Sequence, residues 1–429
     1  MLNVYPTYKD SGIEWQGQIP AHWDETLFFS VAKLKNQTGY IEEDLLSVYL
    51  DKGVIRTIDS DGKQVHKPSE DLSKYQLVDI GDFVMNNQQC WRGSVGVSSF
   101  RGIVSPAYHV FELSSSLNYR YANYLLRDQY MVGQYKVASK GVGSIQQILY
   151  FPWFKKCLCL IPPQEEQRQI VAYLDYKSNK INERICQIEK ELQTLSELKQ
   201  AEIAAVVTRG LDPNVPMKES GIEWLGKIPA HWELLRNKIF ITERDNVVGQ
   251  DTYKYTLLSL TKQGVIQRDI ESGKGKFPKE FDNYKIVESG NIIFCLFDVD
   301  ETPRTVGLSS IDGMITGAYN VFSIKGINSQ FYYYYFLAVD EAKALRPLYS
   351  GLRKVVKTER FAGLRIPVPP EEEQDAIVSY LQSRITFIDN YITKLKEEIN
   401  YLQEYKQRLI SDVVTGKVDV RGVEIPNEE

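Results

Sequence analysis

The chain has 429 residues, with 51 Lys+Arg against 56 Asp+Glu, a formal net charge of -5 and 43% apolar residues. At about 100–200 residues per domain this predicts two or more domains with real cores, and the acidic balance argues against a simple basic nucleic-acid binder, whose domain normally carries a positive surplus. No apolar run approaches the ~18 residues of a membrane span; MLNVYPTYKDSG lacks the regions of a secretion signal; and five cysteines without a CxxC fit a reducing cytoplasm and give no zinc pattern.

Residues 9–23 read KDSGIEWQGQIPAHW and residues 218–232 read KESGIEWLGKIPAHW, identical at twelve of fifteen positions at an offset of 209. Between them, residues 24–160 are rich in Tyr, Gly and Val, with short alternating apolar runs such as Asp79–Val84. That pattern predicts a mostly β module with a few helices, for example Tyr119–Asp128. Cys157 and Cys159 alternate in its last apolar run, as core thiols on one strand face would.

Residues 161–175, IPPQEEQRQIVAYLD, recur as VPPEEEQDAIVSYLQ at 368–382, an offset of 207. Each copy opens a long helix. Over 164–209, Glu165 and Glu166 suit the positive end of the helix dipole and Arg209-Gly210 the stop; Ile181, Ile185, Ile188, Leu192 and Leu195 step by 4 and 3. Over 371–415, Leu381, Ile385, Ile388, Ile392, Leu395, Ile399, Leu402, Lys406, Leu409 and Val413 hold the same alternation, with only Lys406 polar. Such runs are coiled-coil seams. No third long heptad helix exists, so each is the other's simplest partner.

Residues 233–367 repeat the first module, with alternating runs such as Asn291–Leu296 and a helix predicted over Phe331–Arg346. The chain is therefore two copies of one unit of about 210 residues, and the repeat is circular. The second helix ends where another IPAHW block would follow, and that block stands at the N-terminus. The termini are expected to meet, the helices to run antiparallel, and the fold to be α+β with a two-fold pseudo-symmetric ring. The expected divisions are an N-terminal module 1–160, a helix 161–209, a second module 210–367, a second helix 368–417, and a tail 418–429 near the N-terminus.

Charge is uneven. Residues 24–160 carry a net +1, residues 233–367 a net +3, and the rest a net -9. Basic groups gather late in each module: eight against two acids in 83–160, and seven against one in 343–365. These stretches hold the candidate DNA contacts: Asn86, Asn87, Gln88, Arg92, Lys140, Ser144 and Gln146 in the first module, and Arg304, Thr305, Arg353, Lys354 and Lys357 in the second. Asn and Gln pair bidentately with adenine, Arg and Lys with guanine, and Lys or Arg neutralises phosphate. Four of the six tryptophans (Trp15, Trp23, Trp224, Trp232) lie in the repeated block beside His22 and His231. Packing between module and helix accounts for them, and a surface that docks a partner subunit is the sharper reading.

The duplicated SGIEW-x-G-x-IPAHW, the duplicated PP-x-EEQ opening of a heptad helix and the two dissimilar modules between them resemble the specificity subunit of type I restriction-modification systems over essentially the full chain. The resemblance implies that each module is a target recognition domain reading one half of a bipartite, asymmetric site in double-stranded DNA. It implies that the helices act as a ruler and dock two modification subunits. About 46 residues at ~1.5 Å each span ~70 Å, close to ~20 base pairs of B-DNA at ~3.4 Å per step. The modification subunits would bring S-adenosylmethionine and methylate adenine at N6. Two restriction subunits would add ATP- and Mg-dependent cleavage, all in a prokaryotic cytoplasm. The chain itself has no Asn-Pro-Pro-Phe/Tyr motif, P-loop or GxGxxG, so no catalysis, metal or cofactor is expected in it. A DNA-binding scaffold that has lost its partners is the alternative, and a fused methyltransferase-nuclease is disfavoured by length and missing motifs. An acidic scaffold with modestly basic readers is expected to bind DNA tightly only once partner subunits close around the duplex.

Overall fold

In each module the alternating apolar runs form a four-stranded antiparallel sheet whose two faces are both covered. The structure is a computed structural model and describes residues 3–13, 16–60, 69–142, 146–268, 281–350 and 354–426. It divides into two compact units, one of Met1–Ile188 with Glu397–Glu429, the other of Glu189–Lys396. Each unit therefore holds one module and one half of each long helix.

In the first unit the sheet order is Ala32–Lys35, Tyr108–Leu113, Phe83–Asn86, Val95–Val97. Alternate residues Phe83, Met85 and Phe111 face the main core, with Tyr121 and Leu125 of the helix Tyr119–Arg127. Val84 and Val110 face a smaller core with Leu46, Val48 and Val54. The second unit repeats this order with Ile241–Glu243, Asn320–Ile324, Ile292–Phe294 and Val306–Leu308. Its helix is Ser329–Glu341, starting before the predicted Phe331 because Asn328 Oδ1 accepts the Gln330 and Phe331 amides. It stops short of Arg346 because Lys343 takes a left-handed φ of 47°. Late in each unit a hairpin follows: Ser139–Val142 with Gln146–Leu149, and Tyr349–Ser350 with Val355–Val356.

The long helices are Gln164–Arg209 and Glu371–Val414. They pair antiparallel within each unit. In the first, Arg184 meets Glu398 at 2.8 Å and Lys406 Nζ donates to Asn182 Oδ1 at 2.9 Å. In the second, Lys199 meets Asp389 at 2.7 Å and Arg384 meets Glu202 at 2.8 Å. Ile181, Ile188, Leu409 and Val413 are buried in the first unit's seam, and Leu381, Ile388 and Leu395 in the second's. Lys406, the polar member, spends its ammonium on Asn182; burial pushes its pKa down, and the nearby Arg127 adds to this.

The two repeated motifs meet. Glu166, in the first turn of the first long helix, is buried and accepts from Tyr5 Oη at 2.6 Å and Trp23 Nε1 at 2.9 Å, with His22 Nε2 at 2.8 Å. Glu373 repeats this with Trp232 Nε1 at 3.0 Å and His231 Nε2 at 2.8 Å. The next residues, Gln167 and Gln374, donate to the Pro162 and Pro369 carbonyls and accept the amides of Asn118 and Asn328. Each motif thus ties a module to the start of a helix. This corrects the docking expectation for two tryptophans: Trp23 and Trp232 have no exposed surface and serve the core.

Gly210 and Gly416 end the long helices with φ of 76°. A side chain at Gly416 would strike the Pro20 ring. The residues beyond it close the first unit: Asp419 makes an isolated β-bridge to Asn3, and Gln169 Nε2 donates to the Val420 and Val423 carbonyls at 3.1 and 2.7 Å. No helix among the described residues is long and apolar enough to cross a membrane.

Candidate nucleic-acid interface

In each unit, two segments about 60 residues apart in sequence lie side by side: the loop after the third sheet strand in order, and the late hairpin. In the first unit, the loop 87–94 contains a single turn of 3-10 helix, Cys90–Arg92, closed by Gly93 at φ 99°. Leu149 N–H of the hairpin donates to the Asn87 carbonyl at 3.2 Å. Asn86 Oδ1 accepts the Gln88 amide at 3.0 Å, and Trp91 Nε1 donates to the Gln88 carbonyl at 3.0 Å. These bonds fix the loop and leave Gln88 and Arg92 exposed. The Arg92 guanidinium lies 5.7 Å from the Trp91 ring centre, and Lys140 Nζ lies 3.5 Å from Tyr150 and 4.4 Å from Trp153. A cation held on an exposed aromatic face suits phosphate and base stacking together. Asn87 Oδ1 is buried with no partner among the described residues. Ser144 lies outside the described residues, as does the side chain of Gln146.

In the second unit, the loop 295–305 and the hairpin meet through Val356 N–H to the Leu296 carbonyl at 2.7 Å and a bridge between Phe297 and Val355. The electrostatics differ. Lys354, at φ 48°, pairs with Glu301 at 2.7 Å and Asp300 at 3.4 Å, and Tyr349 Oη donates to Asp300 at 2.8 Å. That hydroxyl, then Lys354, holds the Asp300 carboxyl below its usual range, while Glu301 and Asp300 raise the Lys354 ammonium. The Lys354 charge is therefore offset locally. Arg304 is half-buried against Tyr333. Thr305 corrects the sequence reading: it is 1% exposed, and its amide donates to Asp340 Oδ2 at 2.9 Å, so it is out of reach of a duplex. Lys357 is exposed at the start of the helix Thr358–Gly363. Arg353 lies outside the described residues, as does Trp15.

The acids facing Lys354 were missed because Asp300 and Glu301 lie more than 50 residues away. Their sequence signal was present in the acidic run Asp298–Glu301, whose equivalent in the first module is Asn- and Gln-rich. Among the described residues, no group of three or more His, Cys, Asp or Glu side chains is placed to hold a metal ion.

Comparison with known proteins gives this geometry its context. Residues 236–401, which span most of the second module and the first part of the second long helix, match the type I restriction modification DNA specificity domain. The chain is 23% identical to the MjaVIII specificity subunit of Methanocaldococcus jannaschii, covering 99% of this chain and 100% of that one. It is also 23% identical to the putative MjaX specificity subunit of the same organism, over 82% of this chain and 81% of that one. Over these spans the chain is similar to the specificity subunits of type I restriction-modification systems. A solved chain from work on complex assembly and conformational transition in a type I R-M system shares the fold, with a TM-score of 0.67 at 14% identity, over 93% of this chain and 99% of that one. Within this chain the two units differ in their loop pairs and repeat the same chemistry at the Glu166 and Glu373 junctions.

Proposed function

We propose that each unit reads one half of a bipartite, asymmetric site in double-stranded DNA through its paired loop and hairpin. The paired helices set the unread gap and dock two modification subunits, directing N6-adenine methylation. Two restriction subunits joining the complex make it an ATP-dependent nuclease. S-adenosylmethionine, ATP and Mg belong to those partners, and this chain contributes recognition without catalysis. The observation that carries the reading is one scaffold used twice, with unlike side chains at the same edge: Gln88, Arg92 and Lys140 in one unit, and Asp300, Lys354 and Lys357 in the other. Like scaffolds with unlike readers suit two dissimilar half-sites.

Co-expression with a modification subunit, followed by sequencing of methylated adenines, tests it. One split motif with two fixed blocks and a fixed gap is expected. Methylation that ignores substitutions at Gln88 and Arg92, or no methylation from an assembled complex, would contradict it.

A further inference from the structure

Each unit contains an apolar cleft beside the reading edge, which in the first unit shares Trp153 with it, and both clefts lie at the same place in the repeat. In the first unit it measures about 450 Å³ and is bounded by Ile13 of the SGIEW block, Val137, Trp153, Lys156 and Leu158. In the second it measures about 260 Å³ and is bounded by Ile222 of the equivalent block, Trp224, Tyr335, Leu364 and Arg365. Both open beside the strand that leads into a long helix. Trp153 is 44% exposed and Trp224 half-buried, its ring 5.9 Å from that of Tyr335. This is the part of the repeated motif that the Glu166 and Glu373 junctions leave unexplained.

Charge identifies the occupant. Among the described residues, each cleft has a single charged residue in its wall, and in both it is a cation, Lys156 or Arg365. Neither has an ion-pair partner among the described residues. Around the first cleft, residues 129–164 hold four lysines and no carboxylate. An exposed aromatic wall with one unpaired cation complements an apolar side chain followed by a carboxylate. Volumes of about 260 and 450 Å³, one below and one within the ~300–1,000 Å³ of ordinary ligand sites, suit one or two large side chains. The duplication matters too. The readers differ between units, as unlike half-sites demand, whereas both clefts combine an aromatic wall with one cation, as two copies of one partner demand.

We infer that each cleft receives the same acidic, apolar-anchored segment from one of two identical partner proteins. The inference rests on the proposed reading, in which those partners are the modification subunits. Native mass spectrometry of the full chain co-expressed with its modification subunit tests it, alongside the salt dependence of DNA binding by the free chain. The wild type is expected to carry two copies. Lys156→Glu and Arg365→Glu are each expected to carry one, with at least tenfold weaker binding at the altered cleft, and the double variant none. Lys156→Gln and Arg365→Gln, milder surface changes, are expected to weaken binding in the same direction, separating a lost contact from a misfolded unit. The slope of DNA affinity against salt is expected to stay unchanged throughout. Two copies retained by every variant would overturn the inference alone. A slope reduced by about one per variant with stoichiometry intact would also overturn it, by assigning the cations to phosphates. A wild-type chain that binds no modification subunit would overturn the functional reading and this inference with it.

Discussion

Glu166→Ala is expected to loosen the junction between the first module and its long helix far more than Glu373→Ala loosens the second. Glu166 has a side chain 4% exposed and receives three partners, two of them buried, Tyr5 Oη and Trp23 Nε1. A buried donor left without its acceptor costs ~1–3 kcal/mol, so the pair costs about 2–6 kcal/mol. His22 is partly exposed and regains water, so it adds little. Glu373 is 25% exposed and serves one buried donor, Trp232 Nε1, which places its loss near ~1 kcal/mol after solvent compensation. Hydrogen exchange of the amides around Ile19–Trp23 and Ile228–Trp232 reads the two junctions separately. Each ~1.4 kcal/mol raises local opening about tenfold, so Glu166→Ala is expected to accelerate the first segment by about thirtyfold or more. Glu373→Ala is expected to accelerate the second by about tenfold or less. Glu166→Gln, which keeps an acceptor oxygen, is expected to recover most of the protection. Equal and small effects at both junctions would refute the assignment of Glu166 as the hub.

Arg92→Ala and Lys357→Ala are each expected to reduce the slope of log affinity against log salt by about 0.9, read by fluorescence anisotropy. Lys354→Ala, already neutralised by Asp300 and Glu301, is expected to leave the slope nearly unchanged. Lys406→Leu removes a cation whose burial opposes its charge, and is expected to raise stability by roughly 1 kcal/mol in a denaturant titration; a fall would show that the Asn182 bond outweighs desolvation. Asp300, depressed in the folded protein, contributes stability above its unfolded pKa near ~3.9 and loses it as pH falls through the folded value. Tyr349→Phe, which removes the largest cause, is expected to move the Asp300 midpoint upward in carboxyl NMR.

The heptad helices were legible because Ile and Leu recur at 4-3 spacing, and burial of that stripe is the only use water allows for it. The circular repeat was legible because motif identity survives where packing repeats. What joins the repeated motifs was not read, since Trp23 and Glu166 are 143 residues apart and propensity carries no such information. The nearly equal separation of 141 residues between Trp232 and Glu373 was the available signal. At the proposed reading edge, Gln88, Arg92 and Lys140 are exposed as a polar loop suggests, whereas Thr305 is buried with its amide on the carboxylate of Asp340, a helix residue 35 positions on. Polar type alone does not distinguish a reader from a satisfied core group. The net charge of -5 likewise says little until it is divided, because the acidic surplus lies outside the modules.

The central claim is that the two units read two different DNA blocks independently. Sequencing methylated adenines in cells that express the modification subunit with wild-type chain, with Gln88→Ala/Arg92→Ala, or with Lys357→Ala tests it most directly. The account predicts one split motif for the wild type, relaxation of one block only in the first variant, and weaker methylation of an unaltered motif in the second. Simultaneous change in both blocks, or a motif without an unread gap, would contradict it.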